Sequence, residues 1–100
     1  MKKNIYSDYI GKQVLVRGYE AGVYFGTLEA VEGSTVRLSN VRNIWSWTGA
    51  NCLSQVAEEG IKGGRVSQTV PSMVILNVCQ IIPLSAAAAD NLNSQPQWKA

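Results

Sequence analysis

Histidine is absent from all 100 residues. The commonest general base, the usual partner of a nucleophile and the commonest metal ligand are therefore missing. Acidic residues are few: Asp8, Glu20, Glu29, Glu32, Glu58, Glu59 and Asp90 have no metal-cage spacing, and no phosphate-loop or Ser-Lys device accompanies them. Cys52 and Cys79 lie far apart without a companion ligand, so zinc spacing is absent too. Two buried free thiols or one disulfide both fit this pair. The inventory argues against an enzyme and calls for no cofactor. A net charge of +2 is too small to announce duplex nucleic acid. No apolar run is long enough for a signal-peptide core or a membrane span, so a cytoplasmic location is expected, which disfavours the disulfide.

What the chain does contain is a hydrophobic fraction of 46% with 16% charged residues, the balance of one globular domain over residues 1–100. A domain this small leaves apolar surface uncovered, so a homo-oligomer is expected. The chain starts with a short lead-in whose Ile5, Tyr6, Tyr9 and Ile10 predict one docked helical turn, and it closes with a polar tail carrying Trp98, placed to dock on the domain or a neighbour. Alternating apolar and polar residues predict strands over 13–19, 23–32, 35–40 and 44–47, with turns at Ala21-Gly22 and Gly33-Ser34. Gly26, inside the second strand, marks a bulge, a sharp bend or a close approach of a ligand. Asn51 is placed to cap a two-turn helix covering Leu53, Val56 and Ala57, with Gly60 as its stop. Gly63-Gly64 reads as a flexible loop, 65–70 as a strand, 73–82 as one central buried strand ended by Pro83, and Ser85 as the cap of a helix over 86–92. The fold class is mainly β with two short helices (α+β): a small SH3-like or Sm-like antiparallel barrel.

Binding chemistry is better supplied than catalysis. Arg17, Arg37, Arg42 and Arg65 can each grip phosphate through a guanidinium fork. Tyr19, Tyr24, Phe25, Trp45 and Trp47 offer planar faces for a base, although Phe25 and Trp45 are equally suited to a core. Trp45 and Trp47 share parity and are expected on one face of a strand. Asn51 and Ser54 follow with polar groups for a base or ribose edge, capping being the plainer role of Asn51. The candidate ligand-binding set is Arg17, Tyr24, Phe25, Arg42, Trp45, Trp47, Asn51, Ser54 and Arg65.

These residues resemble a known pattern. Val16-Arg17, Tyr19, Ala21-Gly22-Val23, Phe25-Gly26, Leu28, Val36, Leu38, Arg42, Ile44-Trp45, Trp47, Gly49-Ala50, Leu53-Ser54, Ala57, Gly60 and Ile81-Ile82-Pro83 look like a family of small phage and prophage proteins long carried as a domain of unknown function. By size and setting that family is similar to the anti-Thoeris sponges, which bind a cyclic ADP-ribose signal, and to phage sponges that capture cyclic oligonucleotides. The resemblance implies a phage anti-defence protein in the cytoplasm of an infected bacterium, sequestering a nucleotide messenger without cleaving it. Where the family carries paired arginines this chain has Arg42 followed by Asn43, which removes one phosphate contact. The alternative is a small-barrel module for single-stranded nucleic acid or a partner protein.

Overall fold

The computed structural model describes residues 5–19 and 22–98. A 3-10 helix, Ile5–Asp8, leads into β1 (Gln13–Gly18), β2 (Gly22–Glu32) and β3 (Thr35–Thr48). Helix α1 (Leu53–Glu59) follows, then β4 (Gly63–Val66), β5 (Val70–Ile75), β6 (Val78–Pro83) and α2 (Ala86–Asn93). The strands form one antiparallel sheet in the order β4-β3-β2-β1-β6, with β5 also on β3. Ala21 of the first expected turn lies outside the described residues.

Three consecutive buried residues in β1, Val14, Leu15 and Val16, reveal how the sheet is used. A strand with one wet face buries alternate residues, so a continuous run means both faces are covered. Val14 and Val16 point into the curl of the sheet with Leu28, Val36, Leu38, Val41 and Ile75. Leu15 points the other way, joining Phe25, Ile44, Val56, Ile61, Val66 and Leu92 beneath the two helices. The curl is a small Sm-like barrel with a helical layer over one outer wall.

The bend is made at Gly26. A Cβ there would sit 2.8 Å from the Ser39 carbonyl oxygen and 3.3 Å from the Asn40 oxygen. Those are backbone atoms of the paired strand, so only glycine permits the approach. The β2–β3 register shifts between Phe25 and Thr27, and Asn40 takes a positive φ of 51° opposite this point. Of the readings open for Gly26, a bulge with close strand packing is the one observed.

Several sequence expectations change here. The third and fourth strands are one strand, because pairing continues across the bend through Phe25–Arg42 and Tyr24–Asn43. Residues 73–82 are two strands separated at Leu76-Asn77, where Asn77 has a φ of 54°. β5 pairs with β3 and β6 with β1; among the described residues neither has a second strand partner, so these are edges rather than a centre. Gly63-Gly64 is strand, paired with Thr48 and Trp47. A Cβ on Gly64 would collide with the Ser46 carbonyl, which explains the glycine without invoking a loop. Cys52 and Cys79 are both exposed free thiols, so neither buried thiols nor a disulfide is found.

The helical layer is tied down by short polar links. Ser85 caps α2 by accepting the Ala88 N–H, as its position foretells, and donates its hydroxyl to the Glu58 carbonyl at 2.6 Å. Asn91 donates to the Ile61 carbonyl at 2.9 Å and accepts the Ile61 N–H at 2.8 Å. Gly60 ends α1 as expected, but the cap position is Cys52, without a side-chain hydrogen bond. Asn51 uses its backbone N–H to donate to Gln55 Oε1 at 2.9 Å.

Candidate functional site

The strand register decides which candidate side chains can meet. Residues opposed across an antiparallel ladder share a face of the sheet. Tyr24 opposes Asn43 and packs against the barrel-interior cluster, which sets Tyr24, Asn43 and Trp45 on that side. Phe25 opposes Arg42 and points under the helices, as does Ile44. Between Ile44 and Ser46 the pairing with β4 slips by one residue, leaving Trp45 as the extra residue of a bulge. A bulge reverses the parity of everything beyond it.

Trp45 and Trp47 consequently do not share a face. Trp45 is thrown outward and is 58% exposed, whereas Trp47 packs against the helix-side core and donates its indole N–H to the Ala50 carbonyl at 3.2 Å. Phe25 is completely buried and cannot stack on a ligand. Burying a side chain of this size contributes about 2–3 kcal/mol to the fold.

Arg42 is also removed from the binding set. It is 5% exposed; its Nε–H donates to the Ser67 carbonyl at 2.8 Å, and Nη1 donates to those of Leu92 at 3.2 Å and Asn93 at 3.4 Å. It joins β3 to the end of α2 and to the 67–69 connection. Desolvation pushes its pKa below the ordinary arginine value. Arg17 opposes Val23, whose side chain packs on the helix side, so Arg17 is exposed on the face away from Tyr24 and Trp45. Asn51 and Ser54 are exposed around the start of α1 and line neither described cleft.

Three of the candidate residues do come together. A cleft of about 460 Å³ is lined by Tyr24, Asn43, Trp45, Ser67, Gln68, Val70, Met73, Gln97 and Trp98, with Arg65 beside it. Trp98 is brought there because residue 97 forms a parallel bridge with Val66 and the Trp98 N–H donates to the Val66 carbonyl at 2.9 Å. The Trp45 and Trp98 ring centroids are 5.8 Å apart at 75°, an edge-to-face pair. The Arg65 guanidinium carbon lies 4.8 Å from the Trp98 ring centroid, within cation–π range.

The polar lining is partly spent and partly available. Asn43 Nδ2 donates to the Val23 carbonyl at 2.9 Å, which leaves its amide oxygen as an acceptor for the cleft. Ser67 Oγ accepts the Asn43 N–H at 2.8 Å and donates to the Gln68 carbonyl at 2.9 Å, so it fixes the wall. Exposed Gln68 and Gln97 supply two further amides. Chemically the cleft offers indole faces, the Tyr24 phenol and amides, with one arginine beside it; among the described residues no three His, Cys, Asp or Glu side chains gather for a metal.

A second groove of about 490 Å³ runs between the 3-10 helix and β6, lined by Tyr6, Tyr9, Val31, Val78, Cys79 and Ile81 among others. Among the described residues its lining has no charged side chain, and the first cleft, with Arg65 beside it, is better equipped for an anion. Sequence reasoning named Tyr24, Trp45 and Arg65 and expected Trp98 to dock. It missed Asn43 as a site residue together with Ser67, Gln68, Val70, Met73 and Gln97, and only the parity break at Trp45 would have pointed to them.

Comparison with known proteins adds the fold and a family. A family model described as a domain of unknown function (DUF6948) matches residues 11–92. No curated protein matches the chain. A solved structure of a heptameric archaeal Sm protein is similar at 24% identity and a TM-score of 0.55, covering 79% of this chain and 94% of the other. A chain of the NatC complex solved with CoA is similar at 18% identity and a TM-score of 0.49, covering 92% and 99%.

Proposed function

For a chain that belongs to the DUF6948 family, a domain of unknown function, we propose a non-catalytic binding protein for a nucleotide-derived anion, held in the Tyr24–Trp45–Trp98 cleft. The observation that carries this reading is the convergence of two indoles and the Arg65 guanidinium at one opening. A base stacks on an indole face, the asparagine and glutamine amides meet its polar edge, and Arg65 takes a phosphate through its in-plane N–H groups. The chain has no histidine, and the reading assigns no turnover to the site: the bound molecule is released unchanged. Such a protein acts by sequestration, in keeping with the phage anti-defence role in the host cytoplasm that the sequence resemblance implies.

Titration calorimetry with cyclic dinucleotides, cyclic trinucleotides and cyclic ADP-ribose isomers tests the reading. At least one is expected to bind with micromolar or tighter affinity, to be lost in Trp45→Ala, and to be recovered intact after heating. Absence of heat across the whole panel rejects it.

Single-stranded nucleic acid is the second reading, favoured by the construction of the cleft. Its walls come from β2, β3, β5 and residues 97–98 and lie open at the surface, so successive bases can pass along it. Saturable binding of an oligonucleotide with a steep salt slope, and none of the cyclic compounds, selects this alternative.

Self-association belongs to the proposal under either reading. β5 and β6 each carry an edge without a strand partner among the described residues, and Val74 and Leu76 beside them are 58% and 63% exposed. Exposed apolar edges invite strand pairing between copies. The similar Sm protein is a heptamer, and native mass spectrometry is expected to find this chain as a homo-oligomer too.

A further inference from the structure

Arg65 is a charged side chain beside the cleft, and among the described residues its guanidinium has neither a hydrogen bond nor an ion pair. Its partner is the ring of Trp98, and Trp98 is supplied by a segment with little else to hold it. After α2 ends, Gln95 keeps contact with Asn91, while residues 96–98 are exposed. Beyond that, the segment is held by the bridge to Val66, by the Trp98 N–H to the Val66 carbonyl, and by the indole between Trp45 and Arg65.

We infer that residues 95–98 form a strap that completes the cleft, with Trp98 as the positioning residue that holds Arg65 for a phosphate and makes the site selective for a base that carries one. The inference rests on the nucleotide reading above. A cation–π contact with the ring uses none of the guanidinium N–H donors, so those of Arg65 stay available for an anion. Stacking also restricts a side chain that would otherwise lose much rotamer freedom on gripping an anion. The same indole meets Trp45 in an edge-to-face pair, so one residue orders both the stacking platform and the cation. Undocking the strap leaves the barrel intact but separates the two halves of the site.

The test compares adenosine 5′-monophosphate with adenosine as minimal probes, by calorimetry on the full chain, Trp98→Ala, Trp98→Phe, Arg65→Ala and the Trp98→Ala/Arg65→Ala double variant. The full chain is expected to prefer the monophosphate. Trp98→Ala weakens it about tenfold, the value of one stacking contact, and erases most of the preference over adenosine. Trp98→Phe restores that preference, and the double variant discriminates no worse than Arg65→Ala alone, as coupled residues require. In the unliganded full chain, near-ultraviolet circular dichroism shows the coupled indole pair and loses it in Trp98→Ala. If Trp98→Ala binds the monophosphate as well as the full chain does and keeps the preference, the strap inference falls while the nucleotide reading stands. If the full chain binds cyclic nucleotides but not the monophosphate, pairing a base with its own phosphate is overturned. If it binds no nucleotide at all, both readings fall together.

Discussion

Replacing Arg42 by alanine tests whether this residue belongs to the fold or to the ligand. Three charge-assisted hydrogen bonds disappear, to the carbonyls of Ser67, Leu92 and Asn93. The first, at 2.8 Å, is well formed, and the last, at 3.4 Å, is weak. Two good bonds to a charged donor contribute about 1.5–3 kcal/mol each before water compensates the freed carbonyls. The buried methylenes add about 0.8 kcal/mol apiece. Part of the site borders solvent, which returns some of that loss, so the expected destabilisation is about 3–5 kcal/mol. That is a large share of the roughly 5–15 kcal/mol by which a domain is stable. In urea, with a slope of about 1–1.5 kcal/mol/M, the midpoint should fall by about 3 M. Arg42→Met keeps most of the packing but none of the donors, and its midpoint should lie between the two. Where Arg42→Ala still folds, nucleotide affinity should fall far less than in Trp45→Ala, because Arg42 reaches the cleft only through the Ser67 carbonyl. A midpoint shift under about 0.5 M together with lost ligand binding would falsify the structural assignment and return Arg42 to the phosphate site.

Two further perturbations probe the bend and the helical layer. Gly26→Ala sets a Cβ against the backbone of Ser39, Asn40 and Val41, which cannot move without unpairing β2 from β3, and thermal unfolding should show a loss of at least about 2 kcal/mol. An unchanged melting temperature would mean that the strands are not in close approach. Asn91→Ala frees both the N–H and the carbonyl of Ile61, so amide exchange at Ile61 should accelerate and stability fall by about 2 kcal/mol. Exchange at Val14, in the barrel interior, should change less, and equal acceleration at both sites would argue against separate layers.

Much of the fold is legible in the sequence because its elements announce themselves by local chemistry. Alternation marks β1 and β2, Gly60 stops α1, and Ser85 caps α2 ahead of an alanine run. What local chemistry cannot reveal is where the chain crosses from one partner to another. β3 is read as two strands because Asn40 interrupts its pattern, although the long strand simply bends there and serves β5 with its first half and β4 with its second. Residues 73–82 fail in the opposite sense. Their largely apolar run looks like a centre strand, yet Asn77 divides it into two edges whose apolar side chains are partly exposed.

The site is less legible for a related reason: parity along a strand holds only while the register does. Counting from Trp45 to Trp47 gives one face, and a single unpaired residue opposite β4 cancels the count. The same kind of slip near Gly26 and Asn40 turns Arg42 from an outward cation into the link beneath α2, beside fully buried Phe25. Each bulge exchanges a residue between the wet side and the core, so motif letters alone cannot sort IWSW into ligand and structure. Residue identity still carries information at these points. Asn43, which lines the cleft, fixes its wall by donating its side-chain amide to the Val23 carbonyl and keeps its amide oxygen as an acceptor. On the proposed nucleotide reading, an acceptor there disfavours a second phosphate at that wall and suits the donor edge of a base.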